Sequence, residues 1–397
     1  MGAIPLSTKI DFTRDVIAAG HAIDLGVVEK THRAREKCWI HWSNYSTSVG
    51  IDPLLQETSP LIRDLVITAF AARVRTGYYG QGRQIQVQSV TQALSVISKT
   101  IELAGYRSPV YRAPSVYNLQ IARQVEGYRR EDPPSVPQLA VPVSVPENMA
   151  EQAYLTTNPL LQAIADLAVI AFYYLLHVGE YTAAKTVERN GQTIRTTRTV
   201  QFTVGCIGFH KNGKVVERRS SLDDLLNCDQ CTYKITNQKS GRMGQKISHE
   251  TIRDHHHGPV KATARRVHHI LSNGGDEDTI ISAYMNDAGI WNTVSSAQMR
   301  SGVRNSVKEL SLQNNGIDAD LVGVHSLRAG GAMAMKLAGE TDTTIKKYGR
   351  WSSNTWLDYI HNQIAHLAKN VSTKMSTRFT FTNIANIEKP PDLQHEA

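Results

Sequence analysis

At 397 residues the chain is long for one hydrophobic core, and 41% apolar with 20% charged residues excludes a disordered, fibrous or largely membrane-embedded protein. Basic side chains outnumber acidic ones 44 to 36, a net charge of +8 that favours a polyanionic partner. Four cysteines give no disulfide framework, and the N-terminus lacks the basic start and apolar run of a signal peptide, so an intracellular protein is expected.

Residues 1–28 show no persistent period and read as a flexible arm. Residues 29–129 read as a four-helix unit. In its first helix Cys38, Trp39, Trp42, Tyr45 and Val49 recur at helical spacing, and Asp52-Pro53 ends it. The others span about Ser59–Arg75, Ser89–Ala104 and Ser115–Tyr128. Between the second and third lies the Gly-rich loop VRTGYYGQGRQ, with Arg73, Arg75 and Arg83 around it as candidate phosphate contacts. The proline-rich stretch REDPPSVPQLAVPVSVP, within 130–147, reads as a linker.

A second unit, 148–370, opens with an apolar helix over Asn158–Val178. Its core, Leu160–Leu176, holds Gln162 and Asp166 and falls short of the roughly 20 apolar residues of a membrane span. Strand-like runs follow, RTVQFTVG, CTYKITNQ and QKISHE, with KSGRMG as the turn between the last two. Helices are expected at Pro259–Ser272, Ser295–Leu310, Ser326–Ala338 and Thr343–Tyr348, and a last one carries Tyr359. Residues 371–397 read as a polar tail. The fold class is mainly α with a small antiparallel sheet. Residues 185–219 and 234–266 each hold eight basic groups against two acidic, an excess suited to tracking phosphates.

Three short stretches offer chemistry. VHSLRAGG places His325 and Arg328 three apart, on one face of a helix start, pairing a proton carrier with a planar fork of donors. Lys239 sits at a hairpin tip, with Arg242 and Lys246 close behind as DNA-binding candidates. GRWSSNTWLDYIH carries Trp351, Trp356 and Tyr359. Each has an ordinary structural reading when taken alone. Cys228 and Cys231 have zinc-ligand spacing, followed by His255, His256 and His257, but adjacent histidines do not converge and no metal is expected.

Taken in order, HSLR, then GRW, then a Tyr eight residues after Trp351 resembles the C-terminal signature of the tyrosine recombinases, the phage-integrase family. HSLRAGGAMAM, YGRWSSNTWLDYIH and TNQKSGRMGQKISHE are most like recombinases of eukaryotic mobile elements of the DIRS and Crypton kind. The resemblance extends over Lys30–Pro142 through GIDPL, FAARVRTG and GYRREDPPSVPQLAVPV. It implies a four-helix SAM-like core-binding domain, a proline linker and an α+β catalytic domain. It also implies Tyr359 as the nucleophile that forms a 3′-phosphotyrosine, without metal, ATP or small-molecule cofactor. Arg328 would hold the phosphate, Lys239 protonate the leaving oxygen, His325 assist proton transfer and Trp351 buttress the site. The partners implied are duplex DNA and three further copies, a homo-tetramer on paired sites, in the nucleus if the host is eukaryotic and otherwise in the cytoplasm.

One position departs from that pattern. In LLHVGEY, His177 stands where the family has its first catalytic Arg, with Glu180 at the family's acidic position. Neutral imidazole has no charge and no donor fork. The departure implies weak or lost cleavage, with partial recovery towards about pH 6 because a bound phosphate raises the His177 pKa and favours the cationic imidazole. A DNA-binding protein that no longer cleaves, or a type IB topoisomerase-like nicking-closing enzyme, are the alternatives.

Overall fold

The computed structural model describes residues 6–25, 29–134, 138–184, 186–189, 192–195, 199–235, 244–252, 257–351, 353 and 356–357. Among them the chain is mainly helical with small antiparallel sheets. The N-terminal part comprises α1 (Leu6–Leu25), α2 (Glu29–Ser48), α3 (Pro60–Arg75), α4 (Val87–Leu103), the hairpin β1 (Tyr111–Ala113) and β2 (Val116–Tyr117), and α5 (Leu119–Glu131). Helix α1 departs from the sequence reading of a loose arm. Its residues 11–20 are exposed, Phe12, Val16 and Ile17 included, so no core face marked it as an element.

Helices α2 to α5 enclose a core around Trp42, Phe70, Leu94, Ile97 and Ile121. Trp42 meets Phe70 edge-on at 5.2 Å, and its indole N–H donates to the Pro53 carbonyl at 2.9 Å, fastening the chain after α2 back onto it. Local chemistry sets the helix ends. Ser59 caps α3 ahead of Pro60, and Asn118 caps α5 by accepting from the Ile121 amide at 3.0 Å. That cap moves the start of the fourth predicted helix from Ser115 to Leu119. Ser115, at φ 62°, turns the hairpin instead. Asp132 is extended before Pro133, which stops α5.

The second half of the proline-rich stretch is not a free tether. The Leu139 amide donates to the Leu321 carbonyl at 3.1 Å, the Val141 amide to Ser326 at 3.3 Å, and α6 (Ser144–Tyr154) begins within it. Helix α7 (Pro159–Tyr173) is buried continuously from Ala163 to Phe172, apolar all round because α6, α10 (Pro259–Ser272), α11 (Ser296–Glu309) and α12 (Val324–Leu337) pack about it. Its one buried charge, Asp166, accepts from Arg265 at 2.8 and 2.5 Å. The helix ends at Tyr173, five residues before the predicted end at Val178, since Leu175 adopts φ 49°. Residues 174–175 form a turn, and after the extended His177 the single-turn α8 (Val178–Tyr181) follows.

The four-stranded sheet has the order β6-β5-β7-β8, all antiparallel. Its strands are β5 (Ile207–Lys211), β6 (Lys214–Val216), β7 (Gln230–Lys234) and β8 (Lys246–Glu250), with α9 (Leu222–Leu226) between β6 and β7. The β7–β8 pair is the one read from the sequence. RTVQFTVG is not a strand: Gln201 and Phe202 are buried, but 199–206 makes one isolated bridge, Thr203 to Ile280, before a 3-10 turn. The hairpin β5–β6 lies just beyond it, turning at Asn212 and Gly213 with φ 51° and 73°. Two further hairpins complete the sheets, β3 (Thr186–Arg189) with β4 (Gln192–Arg195), and β9 (Ala283–Met285) with β10 (Trp291–Thr293). Helix α13 (Asp342–Gly349), capped by Thr341, closes the described fold.

Candidate active site

Two glycines set the depth of the site. A Cβ on Gly330 would stand 2.0 Å from the Val141 carbonyl oxygen, and one on Gly331 would stand 2.1 Å from that of Phe172. Helix α12 therefore lies directly against the end of α7. This contact buries Arg328, 1% exposed, beneath the turn that follows α7. Its two terminal nitrogens donate to the carbonyls of Leu175 and Gly349, and its guanidinium lies over the Trp351 ring, 4.5 Å from the centroid. The indole folds back over Gly349, where a Cβ would meet it at 1.8 Å.

Glu180 and Arg350 form the second buried layer. The guanidinium of Arg350 donates to both Glu180 oxygens at 2.8 Å, with side-chain exposures of 3% and 4%, and also to the Leu175 carbonyl at 3.2 Å. Glu180 accepts in addition from the His177 amide at 2.8 Å, closing a cap on α8. Burial opposes its ionisation, but the Arg350 fork outweighs burial and holds the carboxyl below its ordinary 4.5. Sequence reasoning missed Arg350. The signal was an acid in an apolar setting, which needs a cation, and an Arg inside the quoted GRW.

His177 and His325 sit over these guanidinium groups with exposed side chains. Desolvation by the surrounding protein, then the charges of Arg328 and Arg350, push His177 down to about 3 against the pull of Glu180. His325 is lowered by the same desolvation and by Arg328. Both imidazoles are neutral at pH 7 in the free protein, where no phosphate is bound.

The structure thus brings together His177, Glu180, His325, Arg328 and Trp351. Tyr359, Lys239 and Arg242 lie outside the described residues. Lys246 is exposed at the start of β8, opposite Lys234. Strand β8 is tied to α13 by the Tyr348 hydroxyl, donating to the Ser248 carbonyl at 3.0 Å.

The three arginines around the Gly-rich loop part company. Arg75 is 5% exposed and engaged inside, donating to Asp132, to the Ile85 carbonyl at 2.5 Å and to Glu131 at 3.5 Å. This leaves it no face for a phosphate. Arg73 stacks on Tyr45 and Tyr78, and Arg83 is exposed. Another cationic surface of this part is a cleft of about 840 Å³ between α3, α4 and the β1–β2 hairpin, lined by Arg63, Lys99, Arg107 and Arg112 against the single acid Glu102.

Cys228 donates to the Asp224 carbonyl at 3.4 Å, and burial pushes the Cys231 thiol in β7 up to about 12. No group of three His, Cys, Asp or Glu suited to a metal occurs among the described residues, where also no helix is long and apolar enough to cross a membrane.

No protein-family model matches the sequence, and no curated protein does. Among solved structures, the chain is similar to a lambda integrase (residues 75–356) dimer bound to a COC′ core site, at 14% identity and a TM-score of 0.44 over 96% of this chain and 100% of that one. It is similar to the Tn1549 transposon integrase in complex with transposon right end DNA, at 9% identity and 0.40 over 78% and 85%. The XerA recombinase follows at 11% and 0.35 over 91% and 97%. These scores all lie below 0.5, a likeness too weak to carry function across.

Proposed function

We propose that the chain is a site-specific DNA recombinase of the tyrosine-recombinase class, of the kind found in eukaryotic mobile elements. One observation carries this reading. His177, Glu180, His325, Arg328 and Trp351, scattered over positions 177 to 351, meet at one place, and its buried groups are two guanidinium ions against one carboxylate. A net cationic site roofed by neutral imidazoles suits a phosphodiester. In the proposed reaction Tyr359 attacks phosphorus as the bond to the 5′-oxygen breaks. Neutral His325 receives the phenol proton, Lys239 protonates the leaving oxygen, and Arg328 holds the non-bridging oxygens, which requires it to turn nitrogens from the Leu175 and Gly349 carbonyls to the phosphate. Reversal with a different 5′-hydroxyl reseals the strand, and a homo-tetramer on paired duplexes supplies that exchange.

His177 favours a second reading, a DNA-binding protein that cleaves poorly. It is neutral, the Arg350 fork is turned to Glu180, and the buried Arg328 gives both terminal nitrogens to the Leu175 and Gly349 carbonyls, so both guanidinium groups are engaged inside the protein.

Both are decided with a nicked duplex carrying the cognate site. The recombinase reading expects a covalent adduct whose peptide maps to Tyr359, lost in Tyr359→Phe with binding retained and unchanged by EDTA. An adduct that survives Tyr359→Phe removes that assignment. Binding with no adduct selects the second reading. Strand transfer only between paired sites separates a recombinase from a type IB-like nicking-closing enzyme.

A further inference from the structure

We propose that the Glu180–Arg350 ion pair is a latch that closes two loops around Arg328, which makes Arg350 a positioning residue for the phosphate site. The inference rests on the recombinase reading for its consequence in catalysis, but not for its geometry.

The two carbonyls that receive the Arg328 nitrogens belong to different loops, Leu175 after α7 and Gly349 at the end of α13. Each loop holds a strained backbone there. Leu175 and Arg350 are both left-handed, at φ 49° and 58°, a conformation that a branched or long side chain adopts only when its surroundings impose it. Glu180 supplies what imposes it. It lies five residues after Leu175 and grips its own loop through the His177 amide at 2.8 Å. It grips the other loop through both nitrogens of Arg350, next in sequence to Gly349 and to Trp351. Arg350 also donates to the same Leu175 carbonyl as Arg328. The result is one closed circuit from Glu180 through Arg350, Gly349, Arg328 and Leu175, and back along the chain to Glu180.

The fork geometry matters as much as the charge. Two parallel hydrogen bonds at 2.8 Å fix the orientation of the Arg350 side chain, which a lysine ammonium cannot do. Because Arg350 carries Trp351 as its neighbour, that orientation also sets where the indole lies over Arg328. Opening the latch releases the Gly349 carbonyl and the indole together.

The test uses the full chain with its five tryptophans replaced by 5-fluorotryptophan, the Trp351 signal being assigned with Trp351→Phe. In Arg350→Met and in Glu180→Gln the Trp351 resonance is expected to move, with the other four unchanged. Arg350→Lys, which keeps the charge without the fork, is expected to move it in the same direction. Adduct formation on the nicked duplex is expected to fall on the order of 10²-fold in Arg350→Met, with duplex affinity within about threefold of the parent. If all five resonances move in Arg350→Met, the variant has unfolded, and Arg350→Lys decides. A Trp351 resonance that stays in place in a folded Arg350→Met or Arg350→Lys overturns the latch. A displaced resonance in a protein whose parent forms no adduct leaves the latch standing and removes the recombinase reading.

Discussion

The neutral state of His177 follows from what surrounds it. Desolvation by the surrounding protein disfavours the charged imidazole first, the guanidinium groups of Arg328 and Arg350 add to that, and the Glu180 carboxylate is already engaged by Arg350. His177→Arg should raise the rate on the order of 10²–10³-fold on one nicked substrate, whereas the parent gains towards about pH 6 only to the extent that the bound phosphate raises the His177 pKa. Equal rates for parent and variant would show that the missing charge comes from elsewhere. His249 gives a stability counterpart. Burial pushes it down to about 4, beside the Tyr173 carbonyl at 2.7 Å from Nε2. A base whose folded pKa lies below its unfolded 6.5 stabilises the fold above 6.5, and that contribution drains away as pH falls towards 4. Urea titrations of the parent should lose on the order of 2 kcal/mol more than His249→Gln over that window. Glu180 acts at lower pH. Its folded pKa lies below 4.5, so its contribution is complete above 4.5 and fades as pH drops through the folded value. The melting temperature of Glu180→Gln should thus approach that of the parent only in acid.

At the scale of elements, glycines of opposite consequence lie in two helices. Gly331 in α12 faces the Phe172 carbonyl with no room for a methyl group, and the obstacle is backbone. Gly331→Ala should destabilise by about 1–3 kcal/mol and reduce cleavage beyond what the lost stability explains, because α12 carries Arg328. Gly127 in α5 has open space for 4 Å around the point where a methyl group would stand, and an ordinary helical backbone. Gly127→Ala should stabilise by roughly 0.5–1 kcal/mol through helix propensity alone. Chemical denaturation of the pair measures both, and a stabilising Gly331→Ala would contradict the close crossing of α12 and α7.

For the whole molecule, the net charge of +8 becomes useful only where side chains gather. The cleft lined by Arg63, Lys99, Arg107 and Arg112 is such a gathering, while Arg75 is spent inside the helical part on Asp132 and Ile85. On the proposed reading, Lys99→Gln with Arg112→Gln should flatten the dependence of log affinity on log salt by about 0.9 for each phosphate no longer neutralised. Arg75→Gln should instead lower the melting temperature. An unchanged slope for the cleft variants would place the duplex on another surface.

The sequence by itself determined the elements whose cause is local. Ser59 marks a helix start that the structure keeps, Pro133 marks the end of α5, and the alternation in CTYKITNQ and QKISHE gives a real strand pair. The Asn212-Gly213 hairpin was also legible, as a two-residue turn signal, but the stronger alternation of RTVQFTVG drew the strand to the wrong side of it. HSLR and GRW disclosed Arg328, His325 and Trp351 because their spacing within each stretch is fixed by a single helix or turn. What only the tertiary structure decided is how charge is distributed among these residues. A side chain's state depends on which groups from distant positions share its surroundings, and no spacing in the chain encodes that. Arg75 and Arg83 look alike in the sequence, yet one is interior and the other exposed. Arg350, unremarkable beside two tryptophans, became the partner of an acid 170 residues away, because burying Glu180 without a cation would have cost more than the fold could supply.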